Sequence, residues 1–561
     1  MSHITPPEES PYYHDDKKNQ EGGVAIVEVG HPDDDLATTH FGEHGIRRDL
    51  PPRVVSMIAI AGTIGTGLFL GSGGALIKGG PVGMWLGYTL MGAAVGMMMT
   101  TLGEMSCFAP NVGGFIEMTT KYFDPALGFM CGINYILQAG FGIPTELAAI
   151  AILFSYWDHN SKHAAIYIVV FLILTVAVNI IGVKWYGEIE FVFACLKVAM
   201  LVGLMLFGLI ADLGGIPPKH EYIGGRYWRE EPFNDNFRGV KPVELSRFLG
   251  FWGVFTQAAF SYSAIESVAS LAGEAHNPRK TLRMAIRTVF YRIAGIYVLA
   301  TLIIGLVVSQ NSPDLKSAMA SGSGTAGASP FVVVAKQMQV KVLPHIVNAV
   351  VITSALSSGN EQTYAFARSL MAMARNGQAP KIFLATSKLG IPWAGVALSA
   401  CFACLGFLSA GASGAAQAFV WLQNLSALSC LVSWASICLA YTRFMRACKV
   451  QGVDRKKFVF RGYGQPYMAW FCFCFFTVIL VFNGFAAFIP SFNVSDFFAS
   501  YITVPVVLIS FVGWKIFKKT KMPRLEDIDL SNGPKEALVG TRYDPNSPAY
   551  DARYAGNSHY A

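Results

Sequence analysis

The sequence predicts an all-α polytopic membrane protein, and three observations support this fold class. The chain of 561 residues is 53% hydrophobic and only 14% charged, with a mean hydropathy of +0.42. Apolar runs of about 18 or more residues recur, and each is long enough to cross a hydrocarbon core as a helix. Lysine and arginine cluster between these runs. A soluble chain of this composition would have too little polar surface to cover its domains.

The apolar runs define twelve transmembrane helices, which we number in chain order. Their predicted ranges are 54–78, 82–106, 126–153, 164–184, 189–211, 248–273, 286–309, 344–372, 392–411, 416–442, 468–489 and 497–518. The polar stretch 1–50 precedes them and is expected to be a disordered cytoplasmic N-tail, without a cleaved signal peptide. The stretch 519–561 is expected to be a cytoplasmic C-tail.

The distribution of basic residues predicts the orientation. The connections after helices 6, 8 and 10, together with the adjoining helix ends, contain sixteen lysines and arginines, whereas those after helices 1, 3, 9 and 11, counted in the same way, contain only Lys78 and Lys162. Cytoplasmic loops carry such an excess, so both termini are expected inside the cell. The net charge of +7 therefore reflects membrane topology and not a nucleic-acid partner. Cys401 and Cys404 have no second pair of ligands, and we expect neither a metal nor a cofactor.

Helix 1 contains the glycine-rich stretch "GTIGTG" at 62–67. Glycines in a membrane helix serve either close packing or an unwound backbone, and their density here favours unwinding. The N–H groups that start the second half-helix would suit a carboxylate, because the positive end of the helix dipole lies there. The carbonyls released on the other side would suit an ammonium group. A zwitterion is the natural ligand of such a break.

Helix 6 has a polar centre, "FSYSAIES" at 260–267, and it is the span that a five-helix repeat would pair with helix 1. The hydroxyls of Ser261 and Ser263 could bond back to their own helix or contact a ligand. Glu266 is costly at this depth, so it is expected to face a cavity or a partner.

Several long motifs in these regions resemble those of the fungal amino acid permeases, within the amino acid, polyamine and organocation transporter superfamily. They are "GTIGTGLFLGSG" with "GGPVG", "LGEMSCFAPNVGGF", "YFDPALGFMCGINY", "AGEAHNPRKTL", "SALSSGNEQTYAFARSLMAMARNGQAPKIF" and "WASICLAYTRFMRACKVQG". The resemblance implies a LeuT-like core of five plus five helices in inverted repeat, with helices 1 and 6 broken. The repeats would occupy 51–211 and 248–442, and helices 11 and 12, at 465–518, would be peripheral.

The resemblance also implies uptake of amino acids across the plasma membrane by proton symport, with a broad or neutral substrate range. The substrate carboxylate would bind at Thr63, Ile64, Gly65, Thr66 and Gly67. The amino group and side chain would be contacted by Phe260, Ser261, Tyr262 and Ser263. Phe260 resembles the aromatic gate at the helix 6 break.

Lys197 is the candidate for proton coupling, together with Glu266. A lysine about a third of the way along helix 5 could instead snorkel to the interface. The resemblance implies that proton-coupled relatives place a lysine here, where sodium-coupled ones bind a cation. Ser357 and Ser358 on helix 8 lie near the cation ligands of those sodium-coupled relatives, and here we expect them to pack or to line the cavity.

The remaining acidic residues of the spans receive separate interpretations. Glu146, in "PTEL" of helix 3, is expected to line the substrate path or to pair with a neighbour. Glu104 is expected to have a structural role at the end of helix 2. Glu188 and Glu190 are expected to begin helix 5, where acids favour the dipole. Glu361 departs from the apolar residue expected in this family, which leaves the substrate preference open.

Other functions are compatible with parts of the pattern. An amino acid exchanger, or a polyamine, choline or GABA carrier, would share the fold. A non-transporting amino acid sensor usually carries a longer N-terminal extension than the stretch found here. An enzyme is disfavoured because no catalytic triad, HExxH or paired-carboxylate motif is present. The expected partners are the amino acid, protons and the lipid bilayer, with ubiquitin ligase machinery acting on tail lysines such as Lys17 and Lys18.

Overall fold

The computed structural model describes Met57, Thr541, Tyr543 and most of the chain between 64 and 539. The continuous ranges are 64–110, 114–217, 220–269, 278–320, 329–387, 389–410 and 415–539. Thr63, Lys17 and Lys18 lie outside the described residues. Within these ranges the regular structure is helical apart from one bridge, between Leu213 and Tyr222. The predicted all-α class is therefore confirmed.

Eighteen helices follow one another along the described chain, and we number them in order. They are α1 Gly67–Phe108, α2 Gly114–Tyr122, α3 Pro125–Phe154, α4 Ala164–Ile180, α5 Val183–Asp212, α6 Arg226–Glu230, α7 Val243–Ser261, α8 Pro278–Arg292, α9 Leu299–Val307, α10 Pro313–Ala320, α11 Pro330–Gln337, α12 Leu343–Arg375, α13 Trp393–Ala403, α14 Ala415–Val450, α15 Tyr467–Phe482, α16 Val494–Tyr501, α17 Thr503–Lys518 and α18 Lys535–Leu538. A π-helical segment, Ile293–Val298, joins α8 to α9.

Six helical segments in the described ranges are long and apolar enough to cross a membrane, or seven if the bent pair α16 and α17 forms one span. Two further apolar helices, Ala164–Ile180 and Trp393–Ser409, are shorter. Large apolar side chains on α4, α5, α15 and α17 are exposed, and in water such surfaces would drive association. These features establish a multi-span helical membrane protein, whereas the number of twelve spans stays a prediction.

The first two predicted spans correspond to two helical parts of α1, which are separated by a non-helical residue, Gly80. The helix is kinked at Gly80, whose φ of +74° is favourable for glycine alone, and Pro81 follows without an N–H group. A Cβ atom at Gly80 would lie 2.7 Å from the Cα atom of Phe233. The kink therefore falls where the sequence predicted the connection between helices 1 and 2.

Helix α5 begins at Val183, six residues before the start predicted for helix 5. Gly182 precedes it with a φ of +119°, a conformation that side-chain-bearing residues rarely adopt, and this sets the helix start. Glu188 and Glu190 therefore lie beyond the first turn, and the prediction that they begin the helix is wrong. Glu190 is fully buried, so its carboxylate interacts with other residues of the protein interior.

Glu104 joins the end of α1 to the loop that follows α14. The fully buried carboxylate accepts hydrogen bonds from Arg455 at 2.6 and 2.8 Å and from the amide of Gly462 at 2.8 Å. Charge-assisted, bidentate geometry of this kind is stronger than an exposed ion pair. These contacts agree with the structural role expected for Glu104.

Replacing Glu104 with glutamine is expected to destabilise the protein by about 2 kcal/mol, because one charged acceptor of the buried pair is lost. Thermal unfolding of the purified protein in detergent measures the change. Glu526→Gln, at an exposed carboxylate of the C-tail, is the matched control. Equal melting temperatures for the two variants would contradict the structural role of Glu104.

Candidate functional site

The chain is not helical immediately before α1, within the stretch where the sequence predicts a break in helix 1. Ile64 and Gly65 are not helical, and the first turns of α1, Gly67–Gly71, are π-helical. The first N–H groups of a helix have no partner within the helix. Here the amide of Thr66 donates to both carboxylate oxygens of Glu146, at 3.4 and 3.3 Å. A carboxylate from α3 thus lies at the amide end of the break.

Gly65 lies in close contact with side chains from α3 and α12. A Cβ atom there would lie 2.2 Å from Oε1 of Glu146 and 2.6 Å from Oγ of Ser358. Ser358 also donates to Oε1 of Glu146 at 3.0 Å, and Ser354 donates to the carbonyl of Ile64 at 2.8 Å. Glycine is therefore required at position 65 by close approach.

Helix α7 ends at Ser261, inside the polar centre predicted for helix 6. Residues 262–266 form turns, with Ala264 at a φ of +60°, and helical geometry resumes at Ser267. The carbonyls of Ser261, Tyr262 and Ser263 accept no main-chain hydrogen bond within the described ranges. This end of the break therefore offers free acceptors.

The two interruptions lie directly against each other. A Cβ atom at Gly67 would lie 2.8 Å from the Cα atom of Ser261 and 3.1 Å from the ring of Phe260. Phe260 is buried at this contact. The start of α1, an amide end, and the end of α7, a carbonyl end, are consequently adjacent. These are the opposite polarities that a zwitterion needs.

The side chains of Ser261 and Tyr262, both predicted to contact the substrate, bond other residues of the protein instead. Tyr262 donates its hydroxyl to the carbonyl of Tyr88 at 3.0 Å, and its ring packs 4.5 Å from that of Tyr297. Ser261 donates to the carbonyl of Gln257 at 2.9 Å and bonds the hydroxyl of Tyr88. Both side chains stabilise the helix packing, so only the main chain of these residues is available to a ligand.

Lys197 is fully buried on α5, which excludes the snorkelling alternative. Its ammonium donates to Ser357 at 2.9 Å, and Ser357 donates in turn to Glu190. Asn360 also donates to Glu190, at 3.3 Å. Lys197 and Glu190 are seven residues apart and so share one helix face, a spacing that could have identified the pair from the sequence.

Ser357 and Ser358 are neighbours on α12, and each contacts a different group of buried charges. Ser357 bonds both Lys197 and Glu190, whereas Ser358 bonds Glu146 at the helix 1 break. We predicted that these serines pack or line the cavity. In addition, each donates a hydrogen bond to a buried carboxylate, which the sequence did not indicate.

Two more acidic side chains are buried near the helix 6 break. Glu266 accepts hydrogen bonds from Gln138 at 2.7 Å and Trp434 at 2.9 Å. Glu361 accepts one from Ser267 at 2.5 Å, which ties α12 to the point where helix 6 resumes. Glu361 is thus part of the same polar interior, a position that no motif in the sequence indicated.

A multi-span helical protein with two interrupted helices meeting at buried polar groups has the architecture of a secondary transporter. The amino acid permease family matches residues 54–527 of the chain. This chain therefore belongs to the amino acid permease family, as its motifs predicted, and it is a transporter and not an enzyme.

Known relatives and one solved structure agree with this assignment. The chain is 38% identical to a dicarboxylic amino acid permease of Saccharomyces cerevisiae, over 86% of this chain and 79% of that protein. It is 33% identical to a proline-specific permease of Emericella nidulans, over 93% and 94% of the two chains. A manganese transporter of Eremococcus coleocola has a TM-score of 0.52 at 15% identity, over 83% of this chain and 94% of that one. The last likeness shows that the fold is LeuT-like.

Proposed function

We propose that the protein takes up amino acids across the plasma membrane by proton symport, with a broad or neutral substrate range. Twelve spans would place both termini in the cytoplasm. Residues 51–211 and 248–442 would form the inverted repeats, with helices 11 and 12 at 465–518 beside them. The main support for the proposal is the hydrogen bonding of the Thr66 amide to the carboxylate of Glu146.

Glu146 occupies the position that the substrate carboxylate would take. Its contact supports a carboxylate preference at this point, where the helix dipole is positive. The substrate would replace it along the stretch from Thr63 to Gly67. The α-ammonium group would then lie at the free carbonyls of Ser261, Tyr262 and Ser263, with Phe260 closing the site.

Two carboxylates at one amide repel each other, so Glu146 must move away or accept a proton when the substrate binds. Lys197 is the proposed source of this proton, because it donates to Ser357, and the adjacent Ser358 donates to Glu146. The Ser357 hydroxyl itself donates to Glu190, so the transfer requires a rearrangement of these side chains when the substrate binds. In this transfer the Lys197 ammonium loses a proton and Glu146 becomes a carboxylic acid. Binding of the amino acid and of the proton would thereby be coupled. Glu266 is a second proposed coupling residue, adjoining the helix 6 break.

Uptake of radiolabelled amino acids by a transport-deficient yeast that expresses the full chain tests this function. We expect uptake that rises when the medium is acidified, falls with a protonophore and is inhibited by several of the twenty amino acids. Cells that carry the empty vector are the control. Protein at the cell surface without uptake would contradict transport, and uptake unaffected by the proton gradient would contradict symport.

A further inference from the structure

A second polar cavity, distinct from the helix breaks, lies among α1, α7, α14 and the segments that follow α9 and α15. Its volume is about 530 Å³, within the range of roughly 300–1,000 Å³ that is typical of small-molecule sites. Seven Asn and Gln side chains line it together with four charged ones. The charged residues are Lys78, Arg238, Lys316 and Asp496. A cavity with this lining suits a small, hydrophilic ligand.

The cavity has an excess of positive charge that the protein does not neutralise. Arg238 lies 3.8 Å from Asp496, so the one acidic group among the lining residues already has a partner. Lys316 donates to the neutral side chain of Asn311 at 2.6 Å. Lys78 makes no hydrogen bond or ion pair with any residue of the described ranges. Two lysines therefore remain available to anionic groups of a ligand.

The cavity also offers an unsatisfied acceptor. Gln310 is only 6% exposed, and its side-chain oxygen has no hydrogen-bond partner within the described ranges. A buried acceptor without a partner costs free energy, which a ligand N–H group would recover. An ammonium group is one such donor.

Three helices connect this cavity to the helix breaks. Lys78 is eleven residues along α1 from Gly67, or roughly 16 Å at about 1.5 Å per residue. Thr256 of α7 lines the cavity one turn before Phe260. Asn424 of α14 lines it too, whereas its neighbour Gln423 faces Gly71 of α1. The cavity thus lies one turn from the helix 6 break along α7 and about three turns from the helix 1 break along α1.

We propose that this cavity collects amino acids with an acidic side chain before they reach the helix breaks. Lys78 and Lys316 bind the two carboxylates, and the oxygen of Gln310 accepts a hydrogen bond from the α-ammonium group. The positive field raises the local concentration of anionic substrates and disfavours cationic ones. The inference rests on the proposed transport function, under which the connection at Lys78 faces outwards.

Lys78→Gln tests the proposal in cells that express the full chain. We expect the KM for glutamate uptake to rise about tenfold, while the KM for alanine and the maximal rates stay unchanged, because only the anionic substrate loses attraction. Added salt should weaken glutamate uptake by the unchanged protein more than alanine uptake. Lys162→Gln, at an exposed lysine of the short connection between α3 and α4, is the control.

The outcomes separate this proposal from the transport function. Equal KM changes for glutamate and alanine, or no change, would overturn the collecting site. Alanine uptake that glutamate does not inhibit would also overturn it. Absence of uptake of every amino acid by the unchanged protein would overturn the transport function instead. If Lys78→Gln does not reach the surface, Lys316→Gln gives the same comparison at the second free lysine.

Discussion

Replacing Gly65 with valine is expected to reduce amino acid uptake by at least about 100-fold while the protein still reaches the membrane. The added Cβ atom would lie 2.2 Å from the carboxylate of Glu146 and 2.6 Å from the hydroxyl of Ser358, so the break must shift. A displacement of about 1 Å at a binding site is enough to cause losses of this size. Initial uptake rates, divided by the amount of protein at the surface, measure the effect.

A matched control exists on α5. Gly203 lies inside this helix, and a Cβ atom there would meet nothing within 4 Å, so Gly203→Val should transport normally. If valine at position 65 prevents delivery, Gly65→Ala adds the Cβ atom alone and serves as the milder variant. Normal uptake by delivered Gly65 variants would refute a ligand site at the break.

Replacing Lys197 with methionine is expected to abolish the acceleration of uptake by an acidic medium. The buried ammonium donates to Ser357, and no other lysine bonds Ser357 or Ser358 within the described ranges. Without this ammonium, Glu146 loses its proposed proton donor. Uptake rates measured over a series of external pH values, with and without a protonophore, show whether coupling persists.

Removal of one buried charge also threatens folding, because Glu190 would be left without its positive partner. The double variant Lys197→Met with Glu190→Gln restores neutrality and should fold better while remaining uncoupled. Lys162→Met, at an exposed lysine, should keep the pH dependence. Glu266→Gln indicates whether the second carboxylate shares the coupling role. An unchanged pH dependence in delivered Lys197→Met protein would count against the lysine.

The sequence predicted the parts of the fold that depend on local composition. The density of glycines at 62–67 and the polar run at 260–267 indicated interruptions, and the described chain is unwound at Gly65 and after Ser261. These signals are local, because glycine spacing and polar residues in an apolar run act on their own helix. The family motifs then predicted which helices should meet.

The sequence did not predict contacts that arise from packing between distant helices. The burial of Glu190 depends on the helix start set by Gly182, which the apolar run did not indicate. The contact between Glu146 and Thr66 joins residues 80 positions apart. Span lengths are also hard to predict, because α7 ends early and α13 tightens into a 3₁₀ segment at Cys404–Ser409.

The central claim is that the break before α1 binds the carboxylate of an amino acid in place of Glu146. A cryo-electron microscopy structure of the protein with a transported amino acid tests it most directly. The expected result is a ligand carboxylate within hydrogen-bond distance of the Thr66 amide, with the side chain of Glu146 displaced. A ligand bound elsewhere, with Glu146 still on the amide of Thr66, would contradict it.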